Sequence, residues 1–343
     1  MTNIIDGLAY QYGKPSSTAK FKARNEDFIV KEVLGYELAG EGEHFMVRIR
    51  KSGENTSFVA NELAKLFGIK SKDIGWAGLK DRHAVTEQWL SIHLPKKNVP
   101  DFSGFLATYP SIEIIDTTWH NKKLRPGDLV GNDFEIRLTE VTDLESALAR
   151  AESIKTSGVP NYFGQQRFGH EGNNVVEARR WGRDNVRTRN QNKRSLYLSA
   201  ARSWIFNQIV SDRIEQQCLD RALLGDIVTV EDQQVVVSES NYDELLASKA
   251  AITGALAGDN ALPTQDEALA LEQRHLDNEP DLMLLIRGNR MRHDRRDISL
   301  VPQQLDVSVD GDALQLRFFL DSGSFATSIL REIAVLEEVE RQF

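Results

Sequence analysis

The C-terminal forty residues contain too little apolar surface to fold without a partner. Residues 305–309 and 313–320 have the composition of two strands, and Asp310-Gly311 between them is a dipeptide that favours hairpin turns. One helix follows, and its apolar side is formed by Phe325, Ile329, Ile333, Leu336 and Val339. A hairpin and a single helix bury too little area to be stable. We therefore expect this segment to pack on the β-rich N-terminal part of the chain.

The pairing of the two chain ends makes the middle of the sequence an insertion. Strand-like alternation dominates the first part, interrupted by one amphipathic helix that Thr56 can cap. Helical patterns then prevail, with a short hairpin between residues 225 and 237. The sequence predicts an α+β fold in which residues 1–156 and 304–343 form one body around a central mixed or antiparallel sheet. Residues 157–303 form a mainly helical insertion domain.

Composition sets the broad class of the protein. With 343 residues, of which 41% are apolar, the chain can bury a sizeable core in two domains. The first residues lack a basic region followed by an apolar run, and no apolar stretch reaches about 18 residues. We therefore expect a cytoplasmic protein without a membrane partner. Cys218 is the single cysteine, which excludes an internal disulfide and a multi-cysteine metal site and indicates simple packing.

Residues 74–95 combine a β pattern with a dense group of ionisable side chains. Both flanks predict strands, and the tip between them carries Lys80, Asp81, Arg82 and His83. A carboxylate flanked by cations stays ionised and can serve as a nucleophile or a base. Gly75 and Gly78 on the first strand allow another backbone or a ligand to approach closely. Composition alone also fits a plain hairpin turn with surface ion pairs.

Positive charge is concentrated in two segments of a chain whose formal net charge is −9. Residues 177–194 hold seven basic side chains against two acidic ones, and residues 287–296 hold five against one, whereas residues 231–281 are strongly acidic. Amides and one tryptophan interrupt the first segment, a mixture suited to phosphate and base contacts in RNA. A solvated helix face is the alternative interpretation. The candidate RNA-binding residues are Arg179, Arg180, Arg183, Arg187, Arg189, Lys193 and Arg194.

The tip at residues 80–83 belongs to a longer motif. Gly78-x-Lys80-Asp81-x-x-Ala84-x-Thr86-x-Gln88 resembles the central motif of the TruD family of tRNA pseudouridine synthases. Further stretches resemble blocks of the same family in the same order, namely Lys22–Val30, Gly40–His44, Gly131-Asn132-x-Phe134, Pro160–Gly169, Asn192–Ser195 and Gly323–Ser328. Asn25 departs from the proline that the family often has there, and the acidic residues 231–281 resemble no block.

The resemblance implies a pseudouridine synthase-like catalytic domain that converts a uridine of tRNA, at position 13 in bacterial members, to pseudouridine. It implies neither a cofactor nor a metal. The glycosidic bond to N1 breaks, the uracil turns within its pocket, and C5 joins the same sugar carbon. The target nucleotide must first leave the base stack.

The same resemblance assigns roles to residues around the tip. Asp81 is similar to the catalytic carboxylate, which either adds to C1′ of the sugar or abstracts a sugar proton to give a glycal. Lys22 is similar to the basic partner that keeps this carboxylate ionised, and Lys80 is similar to its usual neighbour. Without the resemblance, both lysines would be interpreted as ordinary surface charges.

Four further residues are similar to those that form the base pocket in the family. Phe134 would stack on the base, and Phe28 and Phe325 would complete the pocket. Asn132 would hydrogen-bond near the carboxylate or the base. On composition alone, the phenylalanines would be core residues and Asn132 a turn residue.

Other functions fit the residues less closely. A non-catalytic tRNA-binding protein or RNA chaperone on the same fold stays open as the alternative. A metal-dependent nuclease is disfavoured, because the carboxylates near the tip are not clustered in sequence. His83 and His93 are interpreted as structural, since the four-residue spacing of His83 and Glu87 would align two metal ligands only on a helix.

Overall fold

The structure of the protein is a computed structural model that describes residues 4–248 and 250–338. Its strands are β1 (Thr18–Phe21), β2 (Phe28–Leu34), β3 (His44–Ser52), β4 (Ile74–Trp76), β5 (Val85–His93), β6 (Ile112–His120), β7 (Leu129–Leu138), β8 (Val159–Pro160), β9 (Ile227–Val230), β10 (Gln233–Val236), β11 (Ala251–Leu256), β12 (Asp294–Asp297), β13 (Ser299–Leu300), β14 (Gln303–Asp310), β15 (Ala313–Asp321) and β16 (Val335–Glu338). Its helices are α1 (Thr56–Phe67), α2 (Ser103–Thr108), α3 (Leu144–Ser157), α4 (Asn173–Arg183), α5 (Gln191–Glu215), α6 (Tyr242–Ala247), α7 (Asp266–Asp277), α8 (Pro280–Gly288) and α9 (Ala326–Ile333). This content confirms the predicted α+β class.

The chain folds into two compact units. The sheet unit comprises residues 15–155, 302–326 and 333–338, and the insertion unit comprises residues 4–14, 156–301 and 327–332. The sequence pattern instead predicts residues 4–14 and 327–332 in the same body as the large sheet.

Side-chain contacts hold the short segments 4–14 and 327–332 to one another. The Arg331 guanidinium donates to the Leu8 carbonyl oxygen at 2.5 Å and lies 3.5 Å from the Tyr10 ring centroid. The Glu332 carboxylate accepts from the Gln11 backbone N–H at 3.1 Å. An apolar stripe on a helix predicts that the helix is buried, but the stripe does not specify which body buries it.

The sheet unit is built on a mixed sheet with the strand order β14-β15-β7-β2-β5-β3-β6, and β4 pairs with β5 at its side. Strands β2 and β5 run parallel, and the other neighbouring pairs are antiparallel. The terminal hairpin β14–β15 joins the N-terminal strands through β7. This pairing was predicted, because the hairpin buries too little apolar area to be stable by itself. The mixed sheet is therefore confirmed.

Helix α1 covers part of one face of this sheet. Its buried residues Val59 and Leu63 pack with inward-facing residues of β3 and β5, which include Ile49, Leu90 and Ile92. Gly68 ends the helix in a left-handed conformation, with φ of 65°. The candidate site residues Phe28 and Phe134 lie on β2 and β7, further along the same sheet.

The insertion unit contains a second sheet that the sequence did not predict in full. The predicted hairpin is β9–β10, and β11 and β12 extend it to the order β10-β9-β11-β12. Both added strands lack the alternation of apolar and polar residues that signals a strand, since β11 is uniformly apolar or small and β12 reads Asp-Arg-Arg-Asp. The prediction of a mainly helical insertion thus missed half of this sheet.

The end of the described chain corrects one helix boundary. Helix α9 stops at Ile333, and residues from Val335 form β16, which pairs in parallel with β1. Leu336 therefore lies on a strand, and Val339 lies outside the described residues. The open edge of β1 offers backbone groups that must be paired, and the Val335 N–H donates to the Ser17 carbonyl at 2.9 Å. None of the helices in the described ranges has the length and apolar character to cross a bilayer.

Candidate active site

Asp81 lies in the short irregular segment between the antiparallel strands β4 and β5. Its side chain is half-buried, with 25% of its area exposed. One carboxylate oxygen accepts from the His83 backbone N–H at 3.1 Å, and the other accepts from the Lys22 ammonium. Charge-assisted bonds of this kind fix the orientation of a carboxylate.

Lys22 connects the carboxylate to two aromatic rings. It directly follows β1 in a left-handed backbone conformation, with φ of 54°, which is unfavourable for a residue other than glycine. Its Nζ atom lies 4.3 Å from the centroid of Phe28 and 5.0 Å from that of Phe21. The ammonium is thus held between aromatic faces and the Asp81 carboxylate.

Three buried phenylalanines extend this cluster across the sheet. Phe28 on β2 and Phe134 on β7 have ring centroids 6.0 Å apart. Phe134 also stacks on Phe318 of β15, at 5.5 Å with an interplanar angle of 26°. The sequence did not single out Phe318, although it sits directly opposite Phe134 in the strand register. Phe325 is half-buried in the segment between β15 and α9.

Two polar atoms on the same face of the sheet are buried without a hydrogen-bond partner among the described residues. They are Oδ1 of Asn132 on β7 and Oγ1 of Thr86 on β5. Both residues share the face that carries Phe134, because Val30 of β2 is paired with Phe134 on one side and with Thr86 on the other. Buried polar atoms are nearly always satisfied, so an unsatisfied pair on this face is suited to receive a polar ligand.

Lys80 points to Glu32 rather than to Asp81. Its ammonium lies 3.0 Å from Oε2 of Glu32, and the two side chains are 5% and 0% exposed. The other Glu32 oxygen accepts from the Trp89 backbone N–H at 3.1 Å. Lys80, which directly precedes Asp81, is therefore anchored to strand β2. The sequence-based predictions did not include its partner Glu32.

Buried side chains also hold the backbone that leads into Asp81. The Thr56 hydroxyl donates to Gln88 Oε1 at 2.8 Å and accepts from the Lys80 N–H at 3.1 Å. The Gln88 amide in turn donates to the Gly78 carbonyl at 3.1 Å. The sequence predicted Thr56 as a helix cap, but it is the first residue of α1 after Asn55, and its hydroxyl is used in this network.

Lys51 is a fully buried lysine that the sequence-based predictions missed. Its ammonium donates to the backbone carbonyls of Glu54, at 2.6 Å, and of Asp81, at 3.3 Å. Burial lowers the pKa of Lys51 to about 8, and the charge of Asp81 opposes this shift. The sequence pattern could have indicated that Lys51 is buried, because Phe45, Val47 and Ile49 alternate inward on β3 and Lys51 is the next inward position.

The lowered pKa of Lys51 predicts a pH-dependent stability. Between about pH 8 and the ordinary value of 10.5, the unfolded chain binds more protons at Lys51 than the folded chain, so the contribution of this residue to stability rises with pH. We expect the free energy of unfolding of the wild type to gain about 2 kcal/mol over Lys51→Met between pH 8 and 10. Chemical denaturation at several pH values measures this difference. The exposed Lys96→Met gives the background, and a wild-type advantage that stays constant with pH would contradict the assignment.

Gly75 on β4 and Gly78, which follows that strand, differ in how closely other atoms approach them. A Cβ atom on Gly75 would lie 2.3 Å from the Leu124 carbonyl oxygen, so this position requires glycine for close backbone packing. A Cβ atom on Gly78 would meet only ordinary contacts, the nearest being Lys80 Nζ at 3.5 Å. Gly75 thus serves the approach of another backbone.

The candidate RNA-binding residues fall into two groups in the insertion unit. The first group is committed to ion pairs: Arg179 binds Glu279 through two nitrogens at 2.9 and 2.6 Å, Arg180 binds Glu177, and Arg183 binds Asp281. The second group, which we term the open basic segment, comprises Arg187, Arg189, Lys193 and Arg194. No carboxylate of the described residues lies within 4.0 Å of their charged nitrogens, and all but Arg194 are exposed. Arg179 therefore stabilises the insertion unit through its ion pair with Glu279.

Comparison with known families identifies one match across the chain. The family described as "tRNA pseudouridine synthase D (TruD)" matches residues 5–180 and 183–333. Curated relatives carrying the name tRNA pseudouridine synthase D include a protein of Vibrio vulnificus strain CMCP6, which is 65% identical with full coverage of both chains. A protein of that name from Aliivibrio fischeri strain MJ11 is 59% identical and covers all of this chain and 99% of the relative.

A solved structure supports the fold. The crystal structure of a putative tRNA pseudouridine synthase D (TruD) from Methanosarcina mazei is similar to this chain with a TM-score of 0.72. The similarity covers 94% of this chain and 95% of the other, at 23% sequence identity. At that identity the likeness shows a shared fold.

Proposed function

Because this chain belongs to the TruD family, we propose that it isomerises a uridine of tRNA, at position 13, to pseudouridine with Asp81 as the catalytic carboxylate. The observation that carries the proposal is the setting of that carboxylate. Asp81 is half-buried, bound to the Lys22 ammonium, and joined through Lys22 to the aromatic cluster of Phe28 and Phe134. Such a setting combines a charged nucleophile or base with walls that hold a flat ring.

The chemistry needs no other reactant. The N1–C1′ bond of the uridine breaks, the uracil rotates, and a C5–C1′ bond forms. The hydrogen on C5 is then lost as a proton, and N1 gains one, so the product is an isomer of the substrate. Asp81 serves by adding a carboxylate oxygen to C1′ or by removing a sugar proton, and Lys22 holds the carboxylate in place for either role.

The pocket residues have complementary tasks in this proposal. Phe134 stacks on the extruded base, with Phe28 and Phe325 as further walls. Asn132 and Thr86 supply polar atoms for the imide and carbonyl edge of uracil, which would satisfy the two groups that lack partners within the described chain. Lys80 acts indirectly, by fixing the tip through Glu32.

Release of tritium from tRNA labelled at uracil C5 tests the proposed reaction. The hydrogen at C5 must leave when the new carbon–carbon bond forms, so the wild type is expected to release label in proportion to pseudouridine formed. If no tRNA gives tritium release, the chain is a non-catalytic tRNA-binding protein or chaperone. Mapping the product to position 13 tests the choice of nucleotide.

The open basic segment is expected to bind tRNA phosphates. Charge reversal at Arg187 and Arg189 should weaken tRNA binding and flatten its salt dependence, with the slope falling by about one for each phosphate that the protein no longer neutralises. Equilibrium binding at several salt concentrations measures both quantities. Each single reversal is compared with Arg221→Glu, which alters an exposed arginine elsewhere in the same unit. Unchanged affinity and slope would identify the segment as a solvated surface.

A further inference from the structure

Two arginines of the insertion unit approach the ring of one phenylalanine. The Arg296 Cζ atom lies 4.2 Å from the Phe163 centroid, and the Arg167 Cζ atom lies 5.2 Å from it. Phe163 is buried and packs edge-on against the buried Phe206, with ring centroids 5.6 Å apart. An aromatic ring held in this way restricts the positions of both guanidinium groups.

Neutral oxygen atoms accept hydrogen bonds from both arginines. Arg296 donates to the side-chain oxygen of Asn161 at 2.7 Å and to its backbone carbonyl at 3.4 Å. Arg167 donates to the Ser199 hydroxyl. Within the described ranges, no carboxylate lies within 4.0 Å of the Arg167 guanidinium. Arg167 is therefore held in place without being neutralised.

The two positive charges destabilise one another. Burial lowers the pKa of Arg167, and burial followed by the charge of Arg167 lowers the pKa of Arg296 to about 10. Both groups still carry their full charge at neutral pH. An anion that contacts both would relieve the repulsion and replace part of the lost hydration.

We propose that Arg167 and Arg296, ordered on Phe163, form a binding site for one phosphodiester group of the RNA backbone. The inference rests on the proposed function, which supplies RNA as the ligand. A phosphodiester has two non-bridging oxygens and a single negative charge, and guanidinium groups bind such oxygens in a fixed, forked geometry. This site is separate in sequence from the open basic segment and lies partly in the Pro160–Gly169 stretch.

Substitution of Arg167 tests the site, because this side chain is half-buried and makes one side-chain hydrogen bond within the described residues. Arg167→Gln is expected to weaken binding of a tRNA transcript about tenfold and to reduce the slope of log affinity against log salt by about one. Arg167→Lys keeps the charge, so it should keep the slope and lose less affinity. Arg221→Gln, at an exposed arginine of the same unit, should change neither quantity.

Kinetics and thermal unfolding separate this role from a structural one. At saturating tRNA, Arg167→Gln should release tritium at a rate within about twofold of wild type, with KM raised in proportion to the lost affinity. The phosphate site is wrong if Arg167→Gln keeps wild-type affinity and slope, or if kcat falls while KM is unchanged. A lower unfolding temperature in both Arg167 variants without a change in binding would also overturn it. If the wild type itself releases no tritium, the proposed function fails, and the binding data alone decide on the phosphate site.

Discussion

Asp81→Asn is expected to lower the rate of pseudouridine formation by about a thousandfold or more while leaving tRNA affinity within about twofold of wild type. Asparagine has the same shape and can still accept a hydrogen bond from the His83 N–H, but it lacks the carboxylate that the proposed mechanism uses as a nucleophile or base. The loss should therefore appear in kcat. Single-turnover tritium release and equilibrium binding of the same transcript measure the two effects separately.

The matched control for this substitution is Asp116→Asn, which removes an exposed carboxylate from β6 of the same unit. It should keep full activity. Thermal unfolding of both variants shows whether the sheet unit is intact. Normal turnover by Asp81→Asn would exclude this carboxylate as the catalytic group and would favour a base elsewhere in the pocket. Loss of binding together with turnover would instead indicate that Asp81 positions the RNA.

The apolar alternation of the strands predicted much of the sheet unit. Phe28 and Val30 on β2, and Phe134 and Ile136 on β7, lie in the N-terminal part that was predicted to be rich in strands, and the register pairs them on one face. The α+β class and the mixed sheet followed from these patterns. The positions of β11, β12 and β16 did not follow, because their residues carry no apolar period of two and their register depends on tertiary pairing with other strands.

The candidate site lies where the inward alternation changes from apolar to polar. On β2 the series Phe28 and Val30 continues to Glu32, and on β3 it continues to Lys51. On β5 the inward positions before Leu90 are Thr86 and Gln88. A search for apolar periodicity stops at these points, although strand parity still predicts that the next side chain faces inward.

The resemblance to a family singled out Asp81 and Lys22 as candidates, but it could not show which partner each polar side chain takes. Lys80 and Lys51 illustrate the limit, because both are close in sequence or space to Asp81 and yet bind Glu32 and backbone carbonyls, respectively. Such partner choice depends on strand register and on the burial of each group. These quantities arise from tertiary packing and have no local signature in the sequence.

Lys80→Met is expected to destabilise the protein by about 3–5 kcal/mol, because it leaves the Glu32 carboxylate buried without a cation. The Trp89 N–H would then be its one remaining hydrogen-bond donor among the described residues. The double variant Glu32→Gln/Lys80→Met removes both charges and should recover most of the lost free energy of unfolding. Denaturant titration of the wild type, both single variants and the double variant gives the coupling between the two residues. Lys65→Met, at a surface pair with Glu62, should leave stability nearly unchanged.

The same variants decide whether Lys80 takes part in the chemistry. Its ammonium binds Glu32, so we expect activity to follow stability, with the double variant recovering tritium release to within about tenfold of wild type. The backbone of the tip would still be held by Thr56 and Gln88 in that variant. If the double variant is as stable as the wild type and yet inactive, Lys80 acts on the substrate or on Asp81 directly. A lysine next to the proposed catalytic carboxylate would then have a catalytic role that its contact with Glu32 does not show.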